Sequence, residues 1–277
     1  MDRPEYLLDI PADEYHAATK RNEYTTSHRL ALFRKCPALY KKTIDGLIVE
    51  GETAAFQLGR ATHTLVLEGE EKFAAEFAVC DGPTNPKTGA AYGKTTKAYL
   101  EWAGLQTKPI VSTEDHALIA KMREAVQANP VAADLLKDGI AEGTVRTMFR
   151  GEPVQARLDW YDPKRRILVD LKTCADLDRF GYDIRDFQYV PQMAFYVKAL
   201  MLAGADMPPD AYLVAVEKKE PFRVAVFQVT QPTIMDAIEN HYGAENWRDD
   251  IDAMMEELQK CRDTGVWPTR YEGVRII

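Results

Sequence analysis

A chain of 277 residues, 46% hydrophobic and 28% charged, has the composition of an ordinary soluble globular protein, and no apolar run reaches the roughly 18–20 residues that span a bilayer. The formal net charge of −8 argues against DNA binding by bulk attraction, although an enclosed basic channel or an acidic metal site is compatible with it. The four dispersed cysteines (Cys36, Cys80, Cys174, Cys261) form no C-x-x-C pair, which argues against structural zinc, an iron–sulfur cluster and a disulfide framework, and the opening Met1-Asp2-Arg3-Pro4-Glu5 lacks a signal-peptide layout, so a cytoplasmic protein is expected.

Residues 1–24 are weakly patterned and read as an extended N-terminal segment. A helix is expected from Thr25, with Thr26 or Ser27 as its cap and Leu30, Leu32 and Phe33 as its apolar side. Pro37 opens a short helix over 38–43. Residues 53–68 read as a helix ending near Gly69, with Phe56, Ala61, Leu65 and Val66 as candidate core positions. Residues 80–95 carry loop signals throughout. Ser112 and Asp115 form a capping arrangement for a helix over 114–128.

The period then changes to two over 143–172, predicting a β-meander. A helix over 187–202 follows, then strands over 211–216 and 223–229 and one or two helices over 231–263, with Trp267-Pro268 closing the tail. This order predicts one α/β domain over 1–277 with a mixed sheet flanked by helices.

The meander carries the chemistry. A turn at Asp162-Pro163-Lys164-Arg165 joins a strand bearing Asp159 to one bearing Asp170-Leu171-Lys172, where core residues would be expected. A turn centred on Pro163-Lys164 sets Asp159 opposite Leu168 and Asp170 opposite Arg157. Asp159, Asp170 and Lys172 then share one face, with the acids on diagonal neighbours roughly 7–8 Å apart. A one-residue slip would turn Asp159 to the other face.

Two carboxylates and a lysine are the residue types that metal-assisted phosphodiester hydrolysis needs. Hard oxygen donors hold Mg²⁺ or Mn²⁺, and the lysine orients the water or stabilises charge at phosphorus. The carbonyl of Leu171 is a plausible further ligand. The plain alternative is a surface hairpin with an Asp170–Lys172 salt bridge. Two further pieces lie outside the hairpin: His63 in Gly59-Arg60-Ala61-Thr62-His63, and Gln192 with Tyr196 on one helix face. Each alone is compatible with ordinary packing.

Together, G-x-x-x-H, D, D-x-K and Q-x-x-x-Y in this order resemble the PD-(D/E)xK nucleases of the RecB and lambda-exonuclease type, and most closely the RecE-type exonucleases (exonuclease VIII) and their phage relatives. Pro37-Ala38-Leu39-Tyr40, the run 58–68, the run 170–180 and the run 192–196 carry the likeness, which spans about residues 15–270. The resemblance implies a restriction-endonuclease-like core. It also implies metal ligation by Asp159, Asp170 and His63, a catalytic Lys172, and support of the site by Gln192 and Tyr196. Glu142 is a candidate for the acid that precedes the meander in these families. Asp170 stands where many relatives carry Glu; either binds Mg²⁺.

Arg157, Ser27, Arg29 and Arg34 are candidates for phosphate contacts, with Arg157 the best placed, and Tyr6, Tyr15 and Tyr24 are candidates for base stacking. The activity implied is Mg²⁺- or Mn²⁺-dependent degradation of double-stranded DNA from its ends, 5′ to 3′, leaving single strand for recombination. A ring-shaped homo-oligomer, a RecT-like single-strand annealing partner, a bacterial or phage-encoded cytoplasmic setting and no membrane association complete the expectation. Two other readings stay open: a non-catalytic DNA-binding module on the same fold, and another RecB-like nuclease with endonuclease activity. The CRISPR-adaptation branch fits poorly, because Cys261 stands alone where those enzymes carry a cysteine cluster.

Overall fold

The computed structural model describes residues 3–48, 51, 54–239 and 250–274. Its centre is a five-stranded sheet of β3 (Ile140–Phe149), β4 (Glu152–Asp162), β5 (Ile167–Cys174), β6 (Asp210–Glu217) and β7 (Val224–Val229), following a two-stranded parallel pair, β1 (Ala78–Val79) and β2 (Ile110–Val111). The five strands lie in sequence order. All pairings are antiparallel except β5 with β6, which run parallel because a helical crossover joins them. The mixed α/β expectation holds.

The helices in chain order are α1 (Ala12–Lys20), α2 (Ser27–Lys35), α3 (Pro37–Ile44), α4 (Ala54–His63), α5 (Glu70–Glu76), α6 (Lys97–Ala103), α7 (Thr113–Ala128), α8 (Pro130–Leu135), α9 (Phe180–Asp186), α10 (Tyr189–Ala203), α11 (Gln231–Ile238) and α12 (Ile251–Thr264). Alternation along the strands sends side chains to two cores. Leu158, Leu168, Leu213 and Ala215 pack with Phe33 of α2, Met193 and Phe195 of α10 and Leu258 of α12. Val169, Leu171, Val214 and Val216 pack with Ala61 of α4, Phe73 of α5 and Ile119 and Met122 of α7.

The start of the chain departs from the expected extended segment: residues 12–20 form α1. Pro11 gives this helix no side-chain cap. Tertiary contacts hold it instead. Gln155, buried on β4, donates to the Tyr15 carbonyl at 2.9 Å and to Thr19 Oγ1 at 2.7 Å. Tyr15 is itself buried, Tyr6 meets the Tyr161 hydroxyl, and Tyr24 lies under the Arg146 guanidinium, so these aromatics pack within the protein instead of offering stacking faces.

The expected helix over 53–68 is α4 followed by one π-helical turn, Thr64–Glu68, ending at Gly69 with φ +90°; residue 53 lies outside the described residues. Ala61 and Leu65 are buried as expected, but Phe56 is exposed. Helices α5, α6, α8 and α9 are too short to leave a clear periodic signature. The 231–263 region resolves into α11 and α12, with residues 240–249 outside the described set.

The β4–β5 register also differs. Trp160 pairs with Val169 and Asp162 with Ile167, so the loop is Pro163–Arg166 and not a turn centred on Pro163-Lys164. Buried Asp162 fixes it: its Oδ1 accepts from the Lys164 and Arg165 amides at 2.9 and 3.0 Å, and its Oδ2 accepts from Arg165 Nε at 2.6 Å. Arg166 closes the loop at φ +55°. Continued one step beyond its last pair, this register would set Asp159 opposite Asp170 in place of the expected diagonal.

At the end of β6, the fully buried Glu217 accepts from Arg223 Nε and Nη2 at 2.8 and 2.7 Å and from the Leu177 amide at 2.9 Å. The Arg223 and Leu177 hydrogen bonds hold its carboxyl at about 2. Stability from a depressed carboxyl is present above its unfolded value and is lost as pH falls through the folded value. Glu217→Gln is therefore expected to lower the melting temperature by several degrees at neutral pH. The gap should narrow below pH 4.5 and close near pH 2, as measured by thermal denaturation of both proteins across that range.

Candidate active site

Two hydrogen-bond ladders lapse at the same level of the sheet. Between β3 and β4, Ala141 pairs with Trp160 and Gly143 with Leu158, but Glu142 and Asp159 between them do not pair. Between β4 and β5 the ladder stops at Trp160–Val169, one step short of Asp159 and Asp170. Three acids on three adjacent strands thus face one another across broken ladders.

Local backbone explains the break. Glu142 adopts φ +54°, a left-handed conformation that few non-glycine residues take. On β4, Leu158 and Tyr161 both pack on the α10 side, while Trp160 packs on the other. The alternation of faces therefore slips at Asp159-Trp160. This slip, and not plain alternation, brings Asp159 to the Asp170-Leu171-Lys172 run: its Oδ2 accepts from the Leu171 amide at 2.8 Å. Within a strand, the N–H and C=O of one residue point to the same side. The Leu171 carbonyl therefore points toward β4, away from β6, as a ligand at this site would require.

His63 ends α4, immediately before the π-helical turn, a feature that often marks functional positions. Its Nδ1 lies 3.4 Å from Asp159 Oδ2. His63, Glu142 and Asp159 each offer a ligand atom within 4.8 Å of the others. Asp170 lies outside this trio and reaches Lys172 Nζ at 2.5 Å. Neither of its buried oxygens accepts a hydrogen bond of ordinary geometry. A buried carboxylate with unfilled acceptor positions, beside two more carboxylates, an imidazole and a backward-facing carbonyl, is a donor set that fits a divalent cation.

Lys172 is the hub on the α10 side. Its Nζ donates to Gln192 Oε1 at 3.1 Å and sits 4.6 Å from the Tyr189 ring centroid. Gln192 Nε2 in turn donates to the Tyr196 hydroxyl at 2.7 Å. Lysine can only donate, so Oε1 must face it and the amide orientation is fixed. Gln192 and Tyr196 lie where the sequence put them. Tyr189 was missed, although its i, i+3 spacing to Gln192 was available to find it.

The electrostatics follow from burial and crowding. Burial raises Asp170 to about 6, with Lys172 pulling it down and Asp159 pushing it up. Burial and Asp159 raise Glu142 to about 7 against the pull of Arg157. Burial also opposes charge on Asp159, yet His63 and Lys172 hold its carboxyl below the ordinary value. Burial would lower His63, but Asp159 lifts it to about 9. Lys172 stays charged, raised by Asp170 and Asp159 in spite of burial.

The phosphate candidates separate. Arg157 donates from Nε to Glu142 Oε2 at 2.5 Å and from Nη1 to the Ile10 carbonyl at 2.7 Å. Those contacts make it the residue that orients Glu142 and ties down the N-terminal segment. Ser27 opens α2 and lines a cavity that also reaches Gln192. Arg34 lies in the last turn of α2, roughly 10 Å further along its axis at 1.5 Å per residue. Arg29 lies between them and buries its Nη1.

Histidine and glutamate ligate metals only when deprotonated, so a cation must displace the protons that this site retains on His63 and Glu142. Mn²⁺ affinity is expected to rise with pH through about 7 and on toward 9, with proton release. Calorimetry in buffers of different ionisation enthalpy measures both, and Asp159→Asn should abolish the binding. An affinity flat across that window would exclude His63 and Glu142 as ligands.

No curated protein matches the chain in sequence. Among solved structures, a "Putative exonuclease" from Eubacterium rectale superposes with a TM-score of 0.67 at 13% identity, covering 98% of this chain and 96% of its own, which shows a shared fold. A phage related exonuclease from Haemophilus somnus 129PT aligns over 88% of this chain and 96% of its own at 13% identity, with a TM-score of 0.36. Among the described residues, no helix is long and apolar enough to cross a membrane. The family described as "PDDEXK-like domain of unknown function (DUF3799)" matches residues 27–277, nearly the whole of this chain, and the chain belongs to it.

Proposed function

We propose that the protein is a divalent-metal-dependent exodeoxyribonuclease that degrades linear double-stranded DNA from its ends. The observation that carries this reading is the alignment of Glu142, Asp159 and Asp170 across two broken ladders, with His63 on one side and charged Lys172 on the other. Phosphodiester hydrolysis needs an attacking water, stabilisation of charge at phosphorus and a fixed substrate position. A bound Mg²⁺ or Mn²⁺ supplies Lewis acidity and lowers the pKa of a water. Asp159, Asp170, Glu142, His63 and the Leu171 carbonyl are the groups that would hold it.

The protein's own part is orientation and charge. Lys172 keeps its proton and presents an ammonium beside the acids, suited to steer the water and to stabilise the oxygens of the phosphoryl group. Gln192, locked by Tyr196, and the face of Tyr189 hold that ammonium in place. Arg157 neutralises and orients Glu142. By likeness to the RecE-type enzymes, the direction is 5′ to 3′ and the product is single strand for a recombination partner.

One linear duplex, labelled at either its 5′ or its 3′ end, tests the reading with a covalently closed circle as control. Loss of the 5′ label as mononucleotide, with the circle intact, is the expected result in Mg²⁺ or Mn²⁺. Cutting of the circle would replace the exonuclease by an endonuclease, and no release from any end would remove the nuclease reading. Asp170→Ala should reduce the rate by at least about 100-fold while leaving the fold intact, and Lys172→Met should do the same with Mn²⁺ binding retained.

A further inference from the structure

A cavity of about 280 Å³ opens beside the catalytic lysine, between the first turn of α2 and the start of α10. We infer that it is a nucleobase subsite, which takes the unpaired terminal base next to the scissile phosphate. The inference rests on the nuclease reading and specifies its substrate more closely.

Two observations carry it. The cavity is continuous with the site: Tyr189 and Gln192 line it, and both also hold Lys172, at 4.6 Å to the ring centroid and at 3.1 Å. A base seated there belongs to a nucleotide whose phosphate lies at the acids. The cavity also has a stacking wall. Phe187 is 63% exposed, although large apolar side chains usually bury themselves, and its ring stacks on Tyr189 with centroids 5.8 Å apart at 27°. Aromatic pairs with one free face are what single-stranded nucleic acid stacks upon.

The floor, with buried Phe195, is apolar and suits a flat ring.

The volume sits just below the roughly 300–1,000 Å³ of typical small-molecule sites, enough for one base and too little for a base pair. Occupancy therefore requires an unpaired nucleotide. Extruding a base from inside a duplex costs a few kcal/mol more than taking one that is already single-stranded. A frayed end supplies such a base, which gives this site a physical reason to prefer ends.

The probe is a short single-stranded oligonucleotide with 2-aminopurine at its terminal position, bound to the wild-type protein in EDTA so that nothing is hydrolysed. Stacking on Phe187 should quench its fluorescence, and a probe with 2-aminopurine in mid-strand should remain bright. Phe187→Ala, at an exposed position, should weaken terminal binding about 5- to 100-fold, and Phe187→Trp should restore it. Oligonucleotide binding seen by anisotropy without quenching, or quenching indifferent to Phe187→Ala, overturns the subsite. Phe187-dependent quenching in a protein that cuts no DNA would leave the subsite standing and remove only the nuclease reading, whereas cutting without such quenching would do the reverse.

Discussion

Everything at this site depends on the place where the sheet stops pairing. A backbone that leaves its ladder must find other partners, because buried N–H and C=O groups are seldom left unmatched. Here the Leu171 amide, released from β4, is taken up by the Asp159 carboxylate. The break thus converts a strand boundary into a polar seam and fixes one acid by the backbone of the next strand. It also leaves the Leu171 carbonyl turned toward the acids. Glu142, in its left-handed conformation, and the slip at Asp159-Trp160 are the local distortions that keep the seam open.

A seam of buried acids persists only if its charge is met. Glu142 has Arg157, Asp159 has His63 and Asp170 has Lys172, each acid with one cationic partner. The pairing is unequal. Arg157 and Lys172 are held by further contacts, to the Ile10 carbonyl and to Gln192 with Tyr189. His63 is positively charged only through the proton that Asp159 helps it keep. The imidazole is therefore the partner that a cation can replace at the cost of one proton, while arginine and lysine stay as permanent counter-charges. Balanced charge in the chain and readiness for a dication are properties of the same six groups.

The two faces of the sheet contribute different parts. The α4 side supplies His63, positioned by the change from α-helix to π-helical turn. The α10 side supplies Tyr189, Gln192 and Tyr196, three, four and seven residues apart along one helix face, so a single helix both orients the lysine and borders the cavity beside it. Neither face contains the site. It forms where the broken ladders let groups from both sides meet.

Much of this was legible in the residue order because it is local. D-x-K on a strand and Q-x-x-x-Y on a helix fix relative positions through the 2.0 and 3.6 periods alone, and the meander, its crossover helix and the mixed sheet follow from the same periods. What was not legible depends on partners distant in sequence. Helix α1 lacks a cap and is held by Gln155 from β4, so its own pattern reads as extended. The register was misplaced because Asp162 captures Arg165 and lengthens the loop, a choice between turns of similar local cost. The acids still meet because the slip in β4 turns Asp159 toward the Asp170 strand, which strict alternation does not foresee. The contact of Arg157 with Glu142 likewise joins residues that only the fold brings together. The sequence by itself determined which chemical groups exist and which elements carry them. Tertiary structure alone decided that three acids stand in line across two interrupted ladders, because a ladder break is a relation among three strands and no one strand encodes it.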